Sequence, residues 1–353
     1  MIEPSRPVEQ YWNTEHPVLE ILRHRRATGS KPGQRSDFAK VGLAIGGGGM
    51  RGAISAAMCT QLDDANFKDA FDVVYGTSSG AINAAFFASQ PARTCWIPLS
   101  IYYDDFVMKR FIGYARALRG KPIVDLDFIF DDVLKSRIPL DYEAAAHAAQ
   151  PVILAVTDAE ANRAIVVRDH HTGHHLETYL RSGARLPLAT NNPSVGDNQL
   201  IDGALLMPLP FRMAVDDGCT HILSLSTHRM RAPSRRVAVT HRAYSAYLDR
   251  ISRGLGTAYL NALQQRQTDR EWLSTRRFDS APGEPHVLDL APLPWMSEIR
   301  FTDTDPRTVL DGIRAAYAVS SWATEGIDRD HSQDSLGDAI PRMAMAVVPE
   351  SAA

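Results

Sequence analysis

Between about residue 41 and about residue 228, short apolar runs alternate with stretches of small and apolar residues in helical spacing. Val41-Gly42-Leu43-Ala44-Ile45, Phe71-Asp72-Val73-Val74-Tyr75, Pro151-Val152-Ile153-Leu154-Ala155-Val156-Thr157 and His221-Ile222-Leu223-Ser224-Leu225-Ser226 read as strands. Ala164-Ile165-Val166-Val167 reads as a partner folding back on 151–157 through a turn around Glu160 to Arg163. Residues 53–58 and 81–87 read as helices following the first two strands. This alternation predicts an α/β fold with a mainly parallel sheet covered on both faces, and 221–226 as its last strand. Helical period resumes over 244–267 and 308–327. Four segments follow: a polar N-terminal extension over 1–40 with one short helix and a linker, a core over 41–228, a helical part over 229–332 packed on that core, and a flexible tail over 333–353.

Two strand-to-helix junctions are rich in glycine. Gly76-Thr77-Ser78-Ser79-Gly80 has the G-x-S-x-G form of a nucleophile elbow, in which a serine sits in a tight turn where neighbouring side chains would collide. Ser78 would then stand at a helix N-terminus, whose dipole favours developing negative charge; the bland alternative is an ordinary Gly/Ser turn. The other junction is Gly46-Gly47-Gly48-Gly49-Met50-Arg51-Gly52, where residues 47–52 also fit G-x-G-x-x-G. A dinucleotide loop would want an acidic residue closing a second strand about 20 positions on. Asp63, Asp64 and Asp69 instead lie around a helix end, and Asp72 opens the next strand. No Gly-Lys-Ser/Thr follows for a Walker loop. Glycine N–H groups at a helix start can alternatively converge on an oxyanion, with Arg51 adding positive charge. A third element, Gln199-Leu200-Ile201-Asp202-Gly203-Ala204, is a short strand ending on an aspartate; for an isolated Asp-Gly pair the turn reading is the commoner one.

A glycine-rich loop with a following arginine, then G-x-S-x-G, then D-G-A, in that order, resembles the patatin-like phospholipase family. The resemblance runs from about Val41 to about Ser226 and includes Arg181-Ser182-Gly183-Ala184-Arg185-Leu186-Pro187, similar to the family's small-residue helix ending in proline. It implies a three-layer α/β/α fold with a mainly parallel central sheet, to which this chain adds C-terminal helices. It also implies Ser78 as nucleophile, Asp202 as its base in a two-residue dyad, and an oxyanion hole of Gly48, Gly49 and Arg51. Gly47, Gly52, Gly76, Gly80 and Gly203 are the motif glycines. Ser79 stands where Thr or Ala is equally familiar, and Ala204 where Gly is common. The implied activity is hydrolysis of fatty-acyl esters of phospholipids or lysophospholipids through an acyl-enzyme, with no metal or cofactor. An acyltransferase passing the same acyl group to another acceptor is the alternative; intact Ser78 and Asp202 argue against a non-catalytic lipid-binding module. With no histidine between the two residues, Asp202 must take the proton itself, and burial would raise its pKa toward that task.

Composition narrows the picture further. At 353 residues, 44% apolar and 22% charged, the chain can bury one large core, and its net charge of -3 provides no global field for nucleic acid. Cys59, Cys95 and Cys219 are odd in number and scattered, which fits reduced thiols. Residues 1–7 have no basic and apolar leader, and no run reaches the length of a membrane span, so a cytoplasmic protein in peripheral contact with membrane is expected. Its oligomeric state is not legible. The aromatic-rich segment from Ile101 to Ile112 reads either as a core-facing helix or as a lid and acyl-chain wall. Arg229, Arg231, Arg235, Arg236 and Arg242 read as a solvated linker or a contact for anionic headgroups. His170-His171-Thr172-Gly173-His174-His175 is expected to be a solvated hairpin loop rather than a metal site.

Overall fold

In the computed structural model, which describes residues 10–108, 111–190, 199–230, 239–279, 281 and 283–325, the apolar runs assemble into one seven-stranded sheet. The strands are β1 (Val41–Ile45), β2 (Val73–Thr77), β3 (Val152–Asp158), β4 (Arg163–Val167), β5 (Leu200–Asp202), β6 (His221–Leu225) and β7 (His286–Leu290). Their order is β4-β3-β2-β1-β6-β7, with β5 also paired to β3. The pairs β1/β2, β1/β6, β2/β3 and β6/β7 are parallel, whereas β3/β4 and β3/β5 are antiparallel. Parallel strands are buried on both faces, which is why β1 and β2 read as continuous buried runs rather than alternating ones.

Successive side chains of a strand point to opposite faces. Leu43 and Ile45 of β1 and Val74 of β2 join the larger core with Leu154 and Leu223, while Ala44 and Tyr75 join a second core with Ile153, Ile222 and Phe211. The larger core is covered by α2 (Gly52–Asp64), α3 (Ser79–Ser89) and the helix Pro306–Glu325. Pro306–Glu325 packs along α2, so α2 has almost no exposed face. The expected hairpin is present, with Leu154 to Asp158 registered against Val167 to Arg163.

Three expectations need correction or extension. The strand at 221–226 is not the last: β7 pairs with β6 along all five residues, from His221 with His286 to Leu225 with Leu290. The C-terminal part therefore contributes a strand as well as helices. The histidine-rich segment is not a hairpin loop but the start of the helix Gly173–Gly183, because Thr172 Oγ1 accepts the His175 N–H at 3.2 Å and caps that helix. Before the sheet, α1 (Pro17–Thr28) buries Leu19 and Leu22, and Trp12 is fully buried beside them. Arg25 of α1 is also fully buried and donates to Asp37, Asp72, Ala39 O and Ala70 O, fastening the segment to the N-terminal ends of β1 and β2. The tail at 333–353, Lys109, Arg110, and Arg231, Arg235 and Arg236 of the basic run lie outside the described residues. Among the described residues no helix is long and apolar enough to cross a membrane.

Candidate active site

β3 acts as a splint that brings two distant motifs together. Its first half pairs with β2, ending with Ala155 opposite Thr77. Its next residues pair with β5, where Val156 stands opposite Asp202. The residue that follows Thr77 therefore meets Asp202. Ser78 Oγ donates to Asp202 Oδ2 at 2.8 Å. The close passage of the chain past β3 requires Gly203, since a Cβ there would overlap the Ala155 carbonyl. Asp202 is held at three further points: its N–H donates to Arg185 O, its carbonyl accepts from Thr157 Oγ1 at 3.0 Å, and Oδ1 accepts the Ala204 N–H at 2.8 Å.

Ser78 has φ 54° and ψ -133°, an uncommon conformation for a residue with a side chain, and it caps α3. Gly76 packs on Ala81, and Gly80 on the Ile45 carbonyl, closely enough that a Cβ at either position would collide. Both oxygen-bearing groups are buried, Ser78 at 7% and Asp202 at 3% exposure. Burial pushes the Asp202 pKa up to about 6, while the hydrogen bonds from Ala204 and Ser78 restrain the rise.

The first glycine loop lies across from Ser78. Gly49 lines the same cavity as Ser78 and Asp202, and Gly47 packs against Thr77 and Gly80. The Gly48 N–H donates to Ser79 Oγ at 3.0 Å, and the Met50 N–H to Phe301 O at 3.1 Å. Gly52 meets Ser79 and Tyr102 too closely for a side chain. Arg51 does not reach the cavity wall. Its guanidinium lies on the α-carbon of Gly48, where an added Cβ would be 2.7 Å from Nη2, and Gly48 itself has φ 133°.

A buried polar network behind this loop was not legible in the sequence. Ser55 Oγ donates to Gly46 O at 2.7 Å, Asn83 Nδ2 donates to Gly52 O at 2.9 Å and to Ser55 Oγ at 3.1 Å, and Tyr102 OH donates to Asn83 Oδ1 at 3.1 Å. The available signal was a serine and an asparagine within the small and apolar runs 53–58 and 81–87. The segment beginning at Ile101 turns inward: Ile101, Tyr102, Phe106, Phe111 and Ile112 form an apolar wall of the cavity that holds Ser78. Both readings of that segment meet here, since the residues are buried and also face the site. A hydroxyl donating to a carboxylate of raised basicity, at a helix N-terminus and beside an apolar cleft, can carry out acyl transfer.

Comparison with known proteins identifies a family for part of the chain. Residues 43–215 match the family model described as Patatin-like phospholipase. No curated protein matches. Thirteen solved chains do, among them the crystal structure of VipD from Legionella pneumophila, at 12% identity over 82% of this chain and 67% of that one, with a TM-score of 0.41. Residues 43–215 thus form a patatin-like phospholipase domain, and that domain supports a lipid hydrolase enzyme.

Proposed function

We propose that the protein cleaves fatty-acyl esters of phospholipids or lysophospholipids through a Ser78 acyl-enzyme with Asp202 as the base. The observation that carries this reading is the 2.8 Å hydrogen bond from Ser78 Oγ to a buried carboxylate at the wall of an apolar cavity. Asp202 takes the hydroxyl proton as Ser78 Oγ bonds to the ester carbonyl carbon. The carbonyl oxygen becomes an oxyanion facing the Gly48 and Gly49 N–H groups. Gly48 exchanges its Ser79 acceptor for that oxygen, and Arg51 adds positive charge from behind the loop. Collapse of the intermediate expels the alcohol, which receives the proton from Asp202. Water then attacks the acyl-enzyme, giving its proton to Asp202, and the fatty acid departs as the proton returns to Ser78.

Contact with a lipid surface is assigned to the projection at residues 112–124. An Ile112–Val124 bridge pinches its base, and both residues line the cavity. At its tip Tyr114 is 68% and Leu118 90% exposed, beside exposed Arg119 and Lys121, and residues 112–124 contain no carboxylate. An apolar tip ringed by cations matches an anionic bilayer. Leu118→Ser should reduce co-sedimentation with phosphatidylglycerol vesicles by several-fold and leave hydrolysis of a soluble ester intact; unchanged co-sedimentation would overturn the assignment.

The activity test is mass-spectrometric detection of fatty acids and lysolipids released from mixed phospholipid vesicles by wild type, Ser78→Ala and Asp202→Ala. Release by wild type that is lost in both variants supports the reading. Product formation that depends on an added alcohol or thiol acceptor would replace it with acyl transfer.

A further inference from the structure

Among the described residues, three arginines near the glycine loop form no ion pair with a carboxylate. Arg51 follows that loop, and Arg266 and Arg270 stand one turn apart on one face of the helix Leu255–Arg276. None of the three makes a side-chain hydrogen bond or ion pair with a described residue, and the Nε atoms of Arg51 and Arg266 are buried without an acceptor. Arg276 and Arg229 share the unpaired Nε, but unlike the three each has a carboxylate, and so do other neighbours. Arg276 pairs with Glu284, Arg277 with Asp289 and Arg212 with Asp269. The carboxylates whose fields reach them are engaged elsewhere: Asp289, which acts on Arg270, by Arg277 at 2.6 Å, and Glu298, which acts on Arg51 and Arg270, by Arg229 at 2.6 Å.

The three guanidinium groups also feel one another. Burial first, then Arg270 and Arg51, push the Arg266 pKa down to about 10. Burial and Arg270 likewise depress Arg51, against the pull of Glu298. The helix Leu255–Arg276 is tied to the Leu186 side of the cavity: Tyr259 hydrogen-bonds His241 at 2.8 Å and packs edge-on to Tyr244 at 5.2 Å, and Tyr244 OH donates at 3.0 Å to the carbonyl of Pro187, which follows the cavity-lining Leu186. The apolar wall lies elsewhere, formed by residues 101–126, and none of the three arginines lines it. An acyl chain held along that wall would leave the rest of its ester toward Gly49, beside the Gly48 on which the Arg51 guanidinium lies.

Buried donors without acceptors in a folded protein call for an absent partner. Three cations disfavour a neutral one, and guanidinium groups match the oxygens of a phosphate in paired hydrogen bonds. We propose that Arg51, Arg266 and Arg270 form a binding site for a phosphate oxyanion at the rim of the Ser78 site. This rests on the hydrolase reading for its link to substrate: the site makes phosphate-bearing acyl esters preferred over neutral acylglycerols. Two of its three residues lie outside the stretch that matches the family model.

The test uses a matched pair, phosphatidic acid and diacylglycerol with the same acyl chains, each in neutral detergent micelles, with wild type, Arg266→Gln, Arg270→Gln and Arg266→Lys. Wild type should prefer phosphatidic acid, and each glutamine variant should lose about 10- to 100-fold in kcat/KM on it, the scale of a charged hydrogen bond, with diacylglycerol turnover unchanged. Arg266→Lys should retain part of the preference. A second arm reads thermal stabilisation by inorganic phosphate, expected for wild type and absent in the double glutamine variant. Selectivity that depends on the arginines identifies a lipid headgroup as the ligand. Arginine-dependent stabilisation without such selectivity identifies free phosphate, which also supports the site. Equal loss on both lipids, together with the same phosphate response in wild type and double variant, overturns it. Failure of the hydrolase reading would appear as no turnover of either lipid, and the phosphate arm would still decide.

Discussion

At the N-terminal ends of β1 and β2, the guanidinium of Arg25 is fully buried and every direction around it is answered: two carboxylates, Asp37 and Asp72, and two carbonyls accept from it. Arg35 joins the same group by binding the other oxygen of Asp72 at 2.6 Å. Beyond the C-terminal ends, Arg51, Arg266 and Arg270 act on one another and form no ion pair among the described residues, Ser78 holds a strained conformation, and Asp202 is buried beside a neutral hydroxyl. One end of the sheet satisfies its polar groups, and the other keeps them in reserve. Open parallel sheets bind ligands beyond the carboxyl ends of their strands, and here the energetic asymmetry runs the same way. Strain and unpaired charge persist where a substrate can use them.

Substitution at each end should therefore damage a different property. Ser78→Ala and Asp202→Ala should lower ester hydrolysis by about 10³-fold or more while the protein remains folded, because the pair acts as a unit in the chemical step. Circular dichroism and initial rates on a soluble ester check both halves of that expectation. Arg25→Ala should do the reverse. Removing one partner from a buried, bonded charge group costs about 3–5 kcal/mol, here by stranding Asp37 and Asp72, while the remaining folded protein keeps its kcat. Urea denaturation read beside activity separates the two. If Arg25→Ala abolished kcat without loss of stability, the contrast between the ends would collapse.

The Asp202 carboxyl sharpens the contrast through pH. Its pKa is raised by burial from 3.8 to about 6, so the folded protein holds a proton that the unfolded chain has already released. Stability associated with this group is full below about pH 4 and is lost as pH rises through about 6, a difference of about 3 kcal/mol. Activity moves oppositely, since only the ionised form accepts the Ser78 proton, and hydrolysis should fall as pH drops through about 6. Asp202→Asn should be inactive, more stable than wild type at pH 8, and close to wild type at pH 4. Chemical denaturation of the two proteins across that range is the check.

Much of the site was legible because it is made of local motifs. Ser78 and Asp202 each stand in a short pattern whose glycines answer steric contacts, Gly80 against the Ile45 carbonyl and Gly203 against Ala155. Strands β1, β2, β3 and β6 announced themselves as apolar runs, since buried parallel strands carry their signal in a few consecutive residues. What the pattern did not carry was long-range register. That Val156 follows Ala155, and so sets Asp202 beside the end of β2, is a property of pairing rather than of either motif. β7 was missed between two stretches of helical period, although His286-Val287-Leu288-Asp289-Leu290 lies between Gly283-Glu284-Pro285 and Pro292, boundaries that mark a short strand. Arg266 and Arg270 were equally hidden. The helix Leu255–Arg276 is polar around much of its surface, so periodicity does not say which of its arginines pair with a carboxylate and which act on Arg51.

The smallest effect gives the finest test of the comparison. If Arg266 is held unpaired for a ligand, the ligand-free protein bears a cost for it, and Arg266→Gln should raise stability by about 1 kcal/mol, the usual scale when a strained functional residue is relaxed. The cost arises because burial and the neighbouring Arg270 and Arg51 all oppose its charge. Inorganic phosphate should shrink or reverse the gain, since it would stabilise wild type and not the variant. Arg35→Gln at the opposite end offers the matched control: it breaks a formed ion pair with Asp72 and should lower stability whether or not phosphate is present. Opposite signs for two Arg→Gln changes at opposite ends of the sheet, with phosphate acting on only one of them, separate a cation kept for a ligand from a cation used to hold the fold. A loss of stability in both, indifferent to phosphate, would make Arg266 an ordinary packing residue and leave the rim of the Ser78 site without its anion subsite.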